Sequence, residues 1–182
     1  MAIQLVAFFL GTVSVLAEAS IELAAEINPG VVQPGGLIDG QLTLSNTGSN
    51  ASGLLSIEVD WPIGVGDLIT TSFSPSCVGG VSRCDPGDRV IWSTDDLGSL
   101  PPGGSIQVGF TTLASNSIAD GTDVSFDVEL YEDGELVGTL SRSVRVQSQS
   151  LQLAIDPQVD PASPGSQFDY VVEYGNASGN TA

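Results

Sequence analysis

The stretch Val124-Ser125-Phe126-Asp127-Val128-Glu129-Leu130-Tyr131-Glu132-Asp133-Gly134-Glu135 holds the fold in miniature. Val124, Phe126, Val128 and Leu130 alternate with Ser125, Asp127 and Glu129, a period of two that gives a strand one apolar face and one wet face. Glu132-Asp133-Gly134 then reads as a hairpin turn, because aspartate and glycine tolerate the left-handed backbone that a tight turn requires. The returning strand is expected over 135–146.

The same alternation recurs on either side. Leu55, Ile57, Val59 and Trp61 alternate with Ser56, Glu58 and Asp60, and Ile106, Val108 and Phe110 with Gln107 and Gly109. Further strands are expected at about 21–27 and 37–45, with shorter ones near 68–73 and 89–93. No window after residue 20 shows a helical period. Pro101-Pro102 cannot donate to a ladder and marks a break. Seven or eight short strands joined by glycine- and proline-rich turns specify an all-β, antiparallel Ig-like β-sandwich. The Cys–Trp–Cys signature of antibody domains is absent, so the likeness is one of architecture.

A repeat sets the boundaries. Residues 20–52 align without a gap on 150–182 at an offset of 130, with identities at Ser20, Leu23, Ala24, Pro34, Gly35, Asp39, Asn46 and Asn50. A fixed period means stacked copies of one unit. The expected organisation is a signal peptide at 1–19, a complete sandwich at 20–148, and the first strands of a second, truncated repeat at 149–182. The polar seam Gln147-Ser148-Gln149-Ser150 joins the copies, and neighbouring repeats are the first expected partners.

The leader expectation comes from the apolar run at 3–16, which precedes Ala17-Glu18-Ala19, a small-x-small cleavage pattern. No lysine or arginine precedes the run. Fourteen residues are short for a membrane span, which needs about 20, so no membrane insertion of the mature domain is expected. An exported chain meets an oxidising medium, so Cys77 and Cys84 are expected to form a disulfide around Gly79-Gly80. Their spacing is not the Cys-x-x-Cys of a redox site.

Charge excludes other classes. Twenty-two acids face four bases, Arg83, Arg89, Arg142 and Arg145, for a net charge of −18. Such a chain repels phosphate backbones and anionic lipid, so no nucleic-acid partner is expected. There is no histidine and no lysine, which removes imidazole-based triads, imidazole metal ligands and Schiff bases. No catalytic residue is assigned, and no enzyme is expected.

Several stretches in order resemble the bacterial "conserved repeat" domain of unknown function, a surface repeat related to cell-adhesion-type Ig-like modules. They are Pro34-Gly35 before a strand ending in Asn46-Thr47-Gly48, then Trp61-Pro62-Ile63-Gly64-Val65, then Val90-Ile91-Trp92-Ser93. Leu97-Gly98-Ser99-Leu100-Pro101-Pro102-Gly103-Gly104-Ser105 completes the set. The resemblance covers 20–146 and again 150–182. It implies an exported sandwich in tandem arrays on cell surfaces, secreted or on the extracellular side, and no catalytic residue.

Candidate sites remain to be placed. Asp85 and Asp88, Asp95 and Asp96, and Asp120 and Asp123 are acidic turns that suit calcium, which takes six to eight oxygens. Aspartate is equally a turn former, and no other cofactor is implied. Asn50-Ala51-Ser52 and Asn176-Ala177-Ser178 fit the N-glycosylation acceptor. Asp127 and Glu129 read as a solvated face rather than a glycosidase pair. Trp61 continues the inward register of its strand and is assigned to the core, while the pattern leaves Trp92 unassigned. Three functions follow: a structural or adhesive spacer in an exported surface protein, a module binding a surface glycan or protein, or an accessory domain of a larger secreted enzyme.

Overall fold

The computed structural model describes residues 19–79, 84–148, 151–157, 164–165, 167 and 169–176. The leader at 3–16, Arg83 and most of the second glycosylation acceptor lie outside them. In chain order the elements are β1 (Ile21–Asn28), β2 (Val31–Val32), β3 (Leu37–Asn46), β4 (Leu55–Asp60), β5 (Thr70–Thr71), β6 (Ser76–Val78) and β7 (Arg89–Trp92). They continue with α1 (Thr94–Leu97), β8 (Ser105–Leu113), β9 (Asp123–Glu132), β10 (Glu135–Val146), β11 (Leu151–Pro157) and β12 (Tyr170–Asn176).

The first sheet runs β1-β3-β8-β5 and the second β2-β10-β9-β4-β7-β6, while β11 pairs with β12. Pairing is antiparallel apart from β2, which lies parallel to the end of β10 through Val31↔Arg145 and Val32↔Val146. The chain leaves the first sheet at Asn28 and joins the second at Val31, so one segment edges both layers. This parallel junction is invisible to hydrophobic alternation, which does not encode strand direction. Of the ten strands among the described residues before 148, the seven with four or more residues meet the expected number. Each of β2, β5 and β6 is two or three residues long, too short to show a period. The same holds for α1, a single turn where no helix was expected.

Alternation decides what is buried. In β3 the pattern puts Ile38, Leu42 and Leu44 inward, each at 0% exposure, and Asp39 and Gln41 outward. Inward residues of both sheets form one core cluster. Each large aliphatic or aromatic side chain there contributes about 1.5–3 kcal/mol relative to exposure. At its centre Phe110 of the first sheet stands 5.3 Å from Trp61, 5.4 Å from Phe126 and 6.4 Å from Trp92, measured between ring centroids. Both tryptophans are core: Trp61 donates to the Gly66 carbonyl at 2.9 Å, and Trp92 to the Thr71 hydroxyl at 3.1 Å. The ring of Phe110 lies over Gly40, its cross-strand neighbour, where any Cβ would overlap it.

Turn chemistry fixes the register. Glu132 pairs with Glu135, which leaves Asp133-Gly134 as a two-residue loop with φ of 51° and 82°, the primed hairpin turn anticipated from the sequence. After Pro34, Gly35 takes φ 75°, and Gly36 N–H donates to the Gln33 carbonyl at 2.8 Å. Asn46 ends β3 as a buried junction. Its amide donates to the carbonyls of Asn50 (2.8 Å) and Leu100 (2.9 Å), and its oxygen accepts from Gly48 N–H (3.0 Å). It thereby clamps the Asn-Thr-Gly turn to the loop before β8.

The pairing of β11 with β12 repeats that of β1 with β3. Leu23↔Leu44 and Ala25↔Leu42 in the first become Leu153↔Tyr174 and Ile155↔Val172 in the second, each residue displaced by the offset of the sequence repeat. Gly165 takes φ 80° after Pro164, as Gly35 takes 75° after Pro34. Burial does not repeat. Leu42 and Leu44 are fully buried, whereas Leu153, Ile155, Val172 and Tyr174 are 67%, 60%, 54% and 87% exposed.

Candidate functional site

The strand register places acid opposite acid on the outer face of the second sheet. Glu58 faces Glu129 and Asp60 faces Asp127 across β4 and β9. Like charges in that position repel. From the neighbouring β7, Arg89 reaches over them. Its guanidinium lies 2.8 Å from Glu58, 2.9 Å from Asp60 and 3.3 Å from Glu129. Hydrogen bonds to Asp60 and then Glu58 raise the Arg89 pKa further above its ordinary value. Tyr131 donates to Glu129 at 2.9 Å, and that bond is the main reason its phenol pKa is raised. Alternation marked these residues as a wet face, but it could not reveal the cross-strand pairing or the arginine bridging it.

The outer face of the first sheet carries a shallow groove of about 530 Å³. It lies over Gly109, which has no side chain to fill it, and is lined by Glu26, Asp39, Gln41, Ser72 and Thr111. Thr111 donates to Asp39 at 2.7 Å, and the Gln41 amide to Gln107 at 3.3 Å. A larger hollow of about 760 Å³ opens at the sheet edge, between Leu68, Ile69, Leu113 and the cystine. Cys77 of β6 and Cys84 are joined with Cα atoms 5.1 Å apart, as expected from the sequence.

The acidic turns engage backbone N–H groups and one arginine. Asp88 accepts from Asp85 N–H at 2.9 Å, and Asp96 from Ser93 N–H at 3.1 Å at the start of α1. Asp123 stands 3.5 Å from Arg145, and Asp120 accepts from Ser148 N–H. Among the described residues no three acids or cysteines gather as metal ligands. Asn50 is exposed, while Ser52 is 7% exposed and accepts from Leu100 N–H at 2.8 Å. Among the described residues no helix is long and apolar enough to cross a membrane.

No protein-family model matches the chain, and no curated protein matches it. Among solved structures it is similar to AvmM, which catalyzes macrocyclization in alchivemycin A biosynthesis, at TM-score 0.48 and 13% identity over 71% of this chain and 90% of that one. It is similar to the N-terminal domain of the Streptococcus gordonii adhesin Sgo0707, at TM-score 0.44 and 9% identity over 68% of this chain and 32% of that one. It is also similar to the seventh ScaB type I cohesin from Pseudobacteroides cellulosolvens, at TM-score 0.44 and 10% identity over 70% and 94%. The sandwich assignment rests on the strand pairing and shared core described above, not on these likenesses.

Proposed function

We propose that residues 20–148 are one unit of a tandem array in an exported bacterial surface protein, and that the unit is a non-catalytic spacer. The observation that carries this reading is the second hairpin, which reproduces the pairing of β1 with β3 at the sequence offset of 130. A stalk needs repetition, whereas an active site does not. The Cys77–Cys84 bond suits an oxidising exterior, as does the apolar leader pattern. The chain has no histidine or lysine to supply the commonest bases and nucleophiles, and a surface of net charge −18 keeps neighbouring arrays apart.

A second reading, a module for a glycan or protein, is favoured by the groove over Gly109, whose hydroxyls, amide and carboxylates suit a polyhydroxylated ligand. Against stacking on sugars, both tryptophans are in the core. Small-angle scattering from proteins carrying two and three complete units in series tests the spacer. A rod that lengthens by one sandwich per unit is expected. A compact particle, or saturable micromolar binding of a glycan to one unit, favours the second reading.

A further inference from the structure

A glycine inside a strand weakens it, so its presence asks for a reason. Gly40 has one in the fold: a Cβ there would overlap the Phe110 ring. Gly109, which faces Gln41 across β3 and β8, has none. The register runs through it without a bulge, and its φ is not positive. A Cβ would meet Ser72 Oγ at 3.4 Å and the Gly40 carbonyl oxygen at 3.9 Å, both ordinary contacts. The remaining reason for a glycine in a strand is the close approach of a ligand or another chain. The neighbouring side chains keep the space above it open. The Gln41 amide turns aside to Gln107 at 3.3 Å, and Thr111 holds Asp39 at 2.7 Å. Between these two pairs lies the groove of about 530 Å³.

Charge narrows the ligand. Glu26 faces Gln41 and Asn28 faces Asp39, so Glu26 and Asp39 are diagonal neighbours, near enough for one group to meet both. Among the described residues neither carboxylate meets a cation. Arg89 is held by Glu58, Asp60 and Glu129, Arg145 stands beside Asp123, and Arg142 donates to the carbonyls of Ala25 and Ser141. Two carboxylates on a chain of net charge −18 repel anions. Phe110, the aromatic residue of the lining, is 3% exposed, so its ring offers no platform for a flat apolar ligand. The amides of Asn28 and Gln41 and the hydroxyls of Thr70 and Thr111 suit ring hydroxyls. We propose that the groove binds an oligosaccharide with free amino groups, of the glucosamine type. Its ring lies on the Gly109 floor, and its ammonium sits between Asp39 and Glu26. The inference rests on the second reading, in which the groove takes a ligand, and names the class of that ligand.

The test titrates the full chain with the β-linked linear tetramer of glucosamine, its amines protonated, and with cellotetraose, which has hydroxyls in place of the amines. Amide shifts of Gln41, Gly109 and Thr111 are followed by NMR. The glucosamine tetramer should bind at least about tenfold more tightly, because charge-assisted hydrogen bonds are the stronger kind. Asp39→Asn and Glu26→Gln should each erase most of that preference and leave the response to cellotetraose as it was. Gly109→Val, which fills the floor, should abolish binding of both sugars without lowering Tm. Equal affinity for the two sugars, or a preference that survives both carboxylate variants, would overturn the amino-sugar assignment and leave the groove as a glycan site. Unmoved shifts with either sugar would overturn the assignment and the second reading together. Tetralysine binding as tightly as the glucosamine tetramer would overturn it as well, by making a basic peptide the occupant.

Discussion

Gly40→Ala should be costly although it adds one methyl group to a strand. The new Cβ would point inward and overlap the Phe110 ring. That ring cannot swing aside, because Trp61, Phe126 and Trp92 surround it at 5.3 to 6.4 Å. Overpacking of this kind costs about 1–3 kcal/mol. Replacing glycine by alanine recovers about 0.4–1 kcal/mol from the unfolded chain. The net destabilisation is then about 1–2 kcal/mol, or roughly 3–8 °C in Tm for a domain of this size. Urea unfolding followed by tryptophan fluorescence reads it directly, since both tryptophans border the ring. The loss should shrink when Phe110→Leu is already present, because the smaller side chain makes room. Gly109→Ala is the control: it faces outward, where a Cβ meets Ser72 Oγ at 3.4 Å and the Gly40 carbonyl oxygen at 3.9 Å, so its effect should be within about 0.5 kcal/mol. Equal stability of Gly40→Ala and the native chain, or no relief from Phe110→Leu, would refute the packing argument.

Other outcomes follow from the same structure. Arg89→Met leaves Glu58 facing Glu129 and Asp60 facing Asp127 without their shared cation, so it should cost about 1 kcal/mol at low salt and visibly less in molar salt; a salt-independent loss would point to packing instead. Tyr131 has a folded-state pKa raised above 10.0, so the contribution of its bond to Glu129 is complete below the ordinary value and is lost as pH rises through the folded one. The difference in tyrosinate absorbance between the native chain and Tyr131→Phe should accordingly titrate above 10.0, and Glu129→Gln should bring the midpoint down. Removing the Cys77–Cys84 bond by a double serine substitution should cost about 2–3 kcal/mol on the chain-entropy estimate. Deleting 150–182 should leave the main melting transition in place, since an isolated strand pair is marginal in water.

What the sequence revealed divides along physical lines. Alternation located the long strands because their two faces meet different media, and Asp133-Gly134 showed itself because few residues accept positive φ. The inward course of Trp61 followed from the same period. Strand partners did not: β2 is parallel to β10, and Arg89 bridges Glu58 and Glu129, through contacts between residues far apart in the chain. Trp92 stood at the end of a four-residue strand, too short to show its side. The acidic turns stayed ambiguous in the sequence because turn formation and calcium binding favour the same residue; in the fold Asp88 and Asp96 accept from backbone N–H groups and Asp123 stands beside Arg145. Pro34-Gly35 and Asn46 recur as Pro164-Gly165 and Asn176, and what that recurrence meant geometrically became visible only when both hairpins had the same pairing.

The central claim is that 150–176 repeats 20–46 as the opening hairpin of another sandwich. Cross-strand proton contacts measured by NMR on the whole chain test it most directly. The account predicts one set joining Leu23 to Leu44 and Ala25 to Leu42, and a second joining Leu153 to Tyr174 and Ile155 to Val172. Pairing of the second set shifted by a single residue, or unpaired shifts throughout 151–176 beside an intact first set, would contradict it.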